Sequence, residues 1–355
     1  MKKVLLIVSY ILFCLSLNTG IYSSSLQVLD DGSIVSGNYK SYDGSIFIIS
    51  KDYKNIKKIP VSDDNDINES DSPIFYNLSF VNPKDPNNMY AIIYIHLLGP
   101  NTISFYYTDD HGKSWSKIEP KNESNKSFPY QMEINVDPLN FNKIYLIDRS
   151  TGSLMVSDNG GFNARSITKS LDGYFNYLKV YNLFINPTNS QNLLITTDSG
   201  LHKSHNYGES WDRVNASKKL RQVKQDINNV NIIYAITKDN KLLKSIDGGS
   251  RFQELDLVDA NALNLFLDIN TGKIFVETET SLDQEIGLLE IDSETGDLQQ
   301  FIPYKKDKKY IMGIASNKIE PNKLYVSDED NNITVYDIAK KTVIDKINLN
   351  KLLKD

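Results

Sequence analysis

Asp110 and Asp247 are the first carboxylates whose setting invites a chemical reading. Each follows a hydroxyl residue by two positions and precedes a glycine by two, in T-D-D-H-G-K-S-W from Thr108 to Trp115 and S-I-D-G-G-S-R-F from Ser245 to Phe252. S-H-N-Y-G-E-S-W from Ser204 to Trp211 puts Asn206 and Gly208 in those slots. A weaker copy from Ser157 has Asn159 and Gly161, with its aromatic early at Phe162. A carboxylate beside a hydroxyl is a candidate acid or base. The same pattern is that of a hairpin turn. A short carboxylate or amide at +2 accepts hydrogen bonds from the turn's own backbone N–H groups. Glycine at +4 supplies the positive φ that closes the turn, and the aromatic at +7 opens the next strand and packs inward. Asp110 and Asp247 therefore read as structural.

Few other residues offer chemistry. The four histidines are His96, His111, His202 and His205. His202 and His205 stand at i, i+3 but have no third ligand at matched spacing, so no zinc site is expected. The acidic stretch Asp63-Asp64-Asn65-Asp66 lacks the glycine and terminal glutamate of a dedicated calcium loop. No metal and no cofactor are expected. The stretch S-L-D-G-Y-F-N-Y-L from Ser170 to Leu178 is richer. Tyr174, Phe175 and Tyr177 could stack on sugar rings or anchor a peptide, with Asp172 accepting a hydrogen bond. Packing between structural units is the competing reading. His96, in an apparent insertion at Ile95–Asn101, is the other candidate binding residue, against simple exposure on a loop.

The elements that must position these residues emerge from spacing. The four turn motifs start 49, 47 and 41 residues apart, the mark of a repeat architecture. A second register consists of Asn/Pro-rich turns running into strands, as in N-P-K-D-P-N-N-M-Y-A-I and D-P-L-N-F-N-K-I-Y-L-I. Its strand anchors are Tyr90, Tyr145, Leu194, Tyr234, Phe275 and Tyr325. The strand ahead of the motif recurs at Ser45–Ser50, Ile103–Thr108, Ser153–Ser157, Gly200–Ser204, Lys241–Ser245, Ile286–Ile291 and Asn332–Tyr336. Each unit reads strand, Asn/Pro turn, strand, loop, strand, motif, strand. The expectation is an all-β, single β-propeller of seven four-stranded antiparallel blades, with six or eight as alternatives.

Composition agrees. The 355 residues are 40% hydrophobic and rich in aromatic residues, enough for a core without disulfides. Lys2 and Lys3 precede an apolar run from Val4 to Leu17, the pattern of a secretory signal. The expected organisation is a signal peptide over 1–24, a propeller over 25–350 and a polar tail over 351–355. Cys14, the only cysteine, falls in the signal. The mature chain is expected outside the cytoplasm (secreted, periplasmic or luminal), monomeric and without a transmembrane segment. Six sequons, at Asn68, Asn77, Asn122, Asn125, Asn215 and Asn332, would matter in a glycosylating host. A net charge of −6 with dispersed basic residues argues against a nucleic-acid partner.

On the motif at Thr108, Asp110, Gly112 and Trp115 and its copies at Ser157, Ser204 and Ser245, the chain resembles the Asp-box (bacterial neuraminidase repeat) propellers over nearly all its mature length. That group includes sialidases, sortilin-type receptors, xyloglucan-cleaving glycosidases and the photosystem II assembly factor, and the last three look nearest. Sialidases grip a carboxylate with three arginines, the first ahead of the first box. Here the arginines are Arg149, Arg165, Arg213, Arg221 and Arg251, none before the first box. A xyloglucanase-type glycosidase needs paired carboxylates in a cleft between two propellers. The resulting expectation is a scaffold for a protein or glycan ligand without catalytic activity. A glycoside hydrolase of the Asp-box type is the alternative.

Overall fold

The computed structural model describes residues 26–37, 39–41, 45–61, 74–82, 84–96, 102–119, 132–148, 151–168, 179–215, 220–306 and 309–352. Short antiparallel strands make six sheets of four strands and one of five. The chain is a seven-bladed β-propeller.

Blades three to seven are each one continuous stretch of chain, and the first is interrupted by a strand lent to the second. The innermost strands are Leu26–Val28, Ile74–Val81, Met132–Val136, Val180–Ile185, Leu220–Gln225, Ala260–Leu267 and Ile311–Ser316. The third strands are Ile46–Ile49, Thr102–Thr108, Leu154–Ser157, Gly200–Ser204, Leu242–Ser245, Ile286–Ile291 and Asn332–Asp337. They fall where the motif spacing puts them. The fifth strand of the second blade is Tyr39–Ser41, which leaves the first blade to pair with the inner strand Ile74–Val81.

The Asn/Pro register has a physical cause. In blades two to seven the turn after the inner strand is capped by an Asn or Asp whose Oδ1 accepts the backbone N–H two residues on. The bonds are Lys84 to Asn82 at 3.0 Å, Leu139 to Asp137 at 2.8 Å, Thr188 to Asn186 at 2.9 Å, Asn228 to Asp226 at 2.7 Å, Asn270 to Asp268 at 3.4 Å and Ile319 to Asn317 at 2.6 Å. The second strand that follows carries the anchor. Tyr90, Tyr145, Tyr234, Tyr325 and Phe275 are among the largest fully buried side chains, and Leu194 fills the slot in the fourth blade.

Side chains alternate between the two faces of each strand, so each blade feeds two cores. Leu193 and Ile195 pack towards the third blade while Leu194 packs towards the fifth. Seven apolar clusters result, one at each blade interface. Each large side chain so buried is worth about 1.5–3 kcal/mol. Among the described residues the first and last blades close the ring without exchanging a strand. Leu26, Ile34, Phe47 and Ile49 of the first blade pack on Tyr325, Ile333 and Val335 of the last. Tyr53 and Tyr325 share a hydroxyl hydrogen bond of 3.0 Å, and the Asn317 amide donates to the Leu29 carbonyl at 3.0 Å. A short helix, Leu349–Leu352, sets Leu349 and Leu352 against the same cluster. The packed chain thus runs to Leu352.

Two local expectations are revised. Phe162 is 49% exposed, and the inward +7 slot of that copy is filled by Ala164, which is buried. The segment around His96 is not a loop insertion up to that point: the second strand continues to His96, which pairs with Ile74.

Candidate functional site

The third turn of four blades repeats one hydrogen-bond set. Thr108 Oγ1 donates to Asp110 Oδ1 at 2.7 Å, and Ser157, Ser204 and Ser245 donate to Asn159, Asn206 and Asp247, each at 2.9 Å. The N–H groups of Gly112, Gly161, Gly208 and Gly249 donate back to those hydroxyls at 2.8–3.1 Å. Asp110 also accepts from the N–H groups of Lys113 and Ser114 and from the Ser114 hydroxyl. These donors, the Ser114 amide first, hold its carboxyl well below the usual range. Asp247 is lowered in the same way, chiefly by the Arg251 N–H. Both carboxylates are committed to their turns. Trp115, Trp211 and Phe252 pack against the core of the preceding interface.

The third turns share a face with the capped first turns. Backbone bonds run from His111 to Asn87, Gly160 to Asn142, Tyr207 to Gln191 and Gly248 to Asn231. Among the described residues, six of the ten exposed large apolar side chains lie on this face, while the two most exposed, Leu282 and Val258, lie in loops at the other end of the strands. Leu139, Val230, Ile269 and Ile319 sit on the first turns at 45–60% exposure, and Phe162 and Ile246 sit on the third turns.

Inside this face lies the central channel, whose layers follow from the caps. Counting back two residues from each cap gives Phe80, Asn135, Phe184, Lys224, Phe266 and Ala315. The first five line a cavity of about 250 Å³, together with Pro138, Pro187 and Ile269 of the first turns. Counting back four gives the polar layer Glu133, Asn182, Gln222 and Asn264 in blades three to six. That layer joins blades. Asn182 Oδ1 accepts the Val223 N–H at 3.1 Å, and Gln222 brackets Leu265 by accepting its N–H and donating to its carbonyl. Asn135 Nδ2 donates to Glu133 at 3.2 Å.

Lys224 differs from its layer. Its ammonium lies 5.6 Å from the Phe184 ring centroid, and burial alone lowers it to about 8. Nothing in the sequence marks this lysine until the caps are aligned, when it occupies a position that is phenylalanine in three other blades.

Towards the opposite face, four consecutive inner strands carry a β-bulge at the same height, between Val180 and Asn182, Leu220 and Gln222, Ala262 and Asn264, and Ile311 and Gly313. Bulges re-aim side chains. The Arg221 guanidinium here donates to the carbonyls of Ala262 and Leu263 at 3.2 and 2.7 Å. Glu277 is fully buried nearby, accepting from the Ile311 N–H at 2.8 Å and from Asn264 Nδ2 at 2.6 Å. Burial pushes its carboxyl up to about 7. Such a value suits a general acid, but both oxygens are enclosed between two blades and no substrate can reach them.

Ser199 Oγ lies 3.0 Å from His202 Nε2, the contact of a nucleophile with its base. His202 Nδ1, however, is buried without a partner, so no third group orients the ring. Burial and then Arg213 push the imidazole down to about 4. His205 points away, its Nδ1 2.8 Å from Asn192 Oδ1. The histidine pair does not converge. Asp172, Tyr174, Phe175 and Tyr177 lie outside the described residues, and His96 is placed by its backbone alone.

No protein-family model matches this chain, and no curated protein matches it by sequence. Solved structures do resemble it. A GH74 xyloglucanase from Xanthomonas campestris aligns with a TM-score of 0.62 at 11% identity, over 92% of this chain and 53% of its own. The likeness is one of fold. A 6-phosphogluconolactonase-like protein of Bacteroides fragilis aligns at 0.54 with 14% identity over 92% and 96%. YCF48 bound to D1 peptide aligns at 0.51 with 13% identity over 86% and 91%. The chain spans about half the length of the xyloglucanase.

Proposed function

We propose that this chain is an extracytoplasmic Asp-box propeller that binds a protein or glycan ligand as a monomeric scaffold, without cofactor and without turnover. The observation that carries the reading is the apolar collar on the first-turn face: the exposed side chains Leu139, Val230, Ile269 and Ile319, of which Ile269 also lines the channel cavity. A concentration of apolar side chains on one rigid face marks a partner surface. The four turns in which Asp or Asn, hydroxyl and glycine close on one another support the Asp-box assignment. The saturation of Asp110 and Asp247 supports a structural rather than catalytic role for them. The solved complex of YCF48 with a peptide offers a precedent for a ligand-binding propeller of this fold. The aromatic segment 170–178, with Tyr174 and Tyr177, is the second candidate surface.

A glycoside hydrolase is the alternative, favoured by the fold likeness to the xyloglucanase. Glycan-array and pull-down screens on the mature protein, with hydrolysis assays on every hit, separate the two. The scaffold reading expects saturable binding, unchanged ligand, and loss of binding in Leu139→Asp/Ile269→Asp/Ile319→Asp at unaltered Tm. Release of a sugar, abolished by one Asp or Glu substitution, would replace it. Loss of binding only in Tyr174→Ala/Tyr177→Ala would move the site to segment 170–178. Export is tested by the mature N-terminus, expected about 20–25 residues into the chain; recovery of Met1 from outside the cytoplasm would refute it.

A further inference from the structure

We propose that the channel, entered from the first-turn face, binds a small organic carboxylate with an apolar body, its carboxylate paired with the Lys224 ammonium and its body held among Phe80, Phe184 and Phe266. This goes beyond the scaffold reading, because it concerns a small molecule inside the ring rather than a partner laid across it.

The argument begins with charge. Lys224 lines the cavity, and among the described residues no acceptor stands within hydrogen-bond or ion-pair distance of its Nζ. A half-buried cation without a partner in an apolar-lined cavity gains from an anion brought to it. The other charged side chain lining the cavity is Glu133. It lies in the adjacent polar layer, two residues further from the cap, and already accepts from Asn135. Its charge makes no contribution to the state of Lys224, which burial alone perturbs. The two charges therefore leave Lys224 as the point where an anion gains most.

Shape and polarity set the remainder of the ligand. The same layer supplies three phenylalanine rings, and Val136, Ile185, Leu267 and Ile314 complete an apolar wall. Phe184 already lies within cation–π range of Lys224, so a ligand reaching the ammonium must pass along that ring. A cavity of about 250 Å³ is below the size that takes drug-like molecules, which confines the ligand to a small one. Gln222 of the deeper layer spends both its amide atoms on Leu265, so it does not compete for the carboxylate. The apolar body would then emerge between Pro138, Pro187 and Ile269 at the mouth.

Titration calorimetry on the mature protein tests this with 3-phenylpropionate, its uncharged analogue 3-phenylpropanamide, and inorganic phosphate. The expected result is saturable 1:1 binding of phenylpropionate, at least tenfold weaker binding of both other probes, and at least tenfold loss in Lys224→Met. Lys224→Arg should recover part of the affinity. Because the three-probe ranking is read on the unaltered chain, it stands even if a Lys224 variant fails to fold. Equal binding of the amide would show that charge is not read. Equal binding of phosphate would show that the phenylalanine ring is not read. Either of these, or no saturable binding, or a folded Lys224→Met that binds as the parent does, would overturn the proposal. None of those failures bears on the outer collar, which the Asp substitutions test separately.

Discussion

Gly208 of the fourth blade lies directly beneath Ile167 of the third: a Cβ placed on this glycine would come within 2.5 Å of the Ile167 Cδ1. Its φ of +90° is one that side-chain-bearing residues rarely adopt. The turn thus closes on itself and also seals the interface to the blade before it, where the Trp211 indole N–H donates to the Ile167 carbonyl at 2.9 Å. Gly208→Ala should lower stability by about 1–3 kcal/mol from backbone strain, with a steric addition. Urea unfolding followed by tryptophan fluorescence measures it. A change within 0.5 kcal/mol, the range of neutral surface substitutions, would show that the turn is not the seal described.

Glu277 makes stability depend on pH in an unusual direction. Its folded-state pKa of about 7 lies above the ordinary 4.5, so the folded chain binds the proton more tightly than the unfolded chain. The resulting stabilisation is present below about 4.5 and declines as pH rises through 7, by roughly 3 kcal/mol in all. Asp110 and Asp247 act oppositely. Their depressed pKa values give stability that is present above 3.8 and lost as pH falls further. His202, lowered from 6.5 to about 4, adds stability as pH rises and opposes the Glu277 limb below about 6.5. Differential scanning fluorimetry therefore reads the Glu277 contribution as the Tm of the parent minus that of Glu277→Gln, which should fall between pH 5 and 8. Glu277→Gln should flatten that limb, since Asn264 Oδ1 is buried without a partner and a glutamine amide can donate to it. A parent-minus-variant difference that rises across the same range would contradict the burial of this carboxyl.

Closure of the ring between the first and last blades rests on packing more than on polar bonds. Tyr325→Phe removes the 3.0 Å contact with the Tyr53 hydroxyl and should cost about 0.5–1.5 kcal/mol. Leu26→Ala opens the cluster it shares with Tyr325, Ile333, Val335 and Ile347 and should cost about 2–5 kcal/mol. Chemical denaturation of the two variants checks the order. A reversed order would place the closure in the hydroxyl pair.

Much of this fold was legible in the sequence because turn chemistry is local. A capping Asn or Asp two residues before the amide it accepts, or a hydroxyl four before a glycine, needs no tertiary information to recognise. The buried tyrosines followed, since each stands at a fixed distance after such a cap. Phe162 misled because residue type was taken as the marker, whereas position decides: the inward slot is seven residues after Ser157 and holds Ala164. The channel was not legible in this way. Phe80, Phe184, Lys224 and Phe266 are separated by some 40 residues or more and converge only when seven inner strands stand side by side. Neither was the collar, because one apolar residue in a polar turn is ordinary until four such turns lie on one face.

Hydroxyl-radical footprinting of the mature protein, free and with its captured ligand bound, tests the central claim most directly. The account expects Leu139, Ile269 and Ile319 to lose reactivity on binding while the ligand is recovered unchanged. If those three side chains stay fully reactive in a saturated complex, or the ligand is recovered cleaved, the collar is not the binding surface of a non-catalytic scaffold.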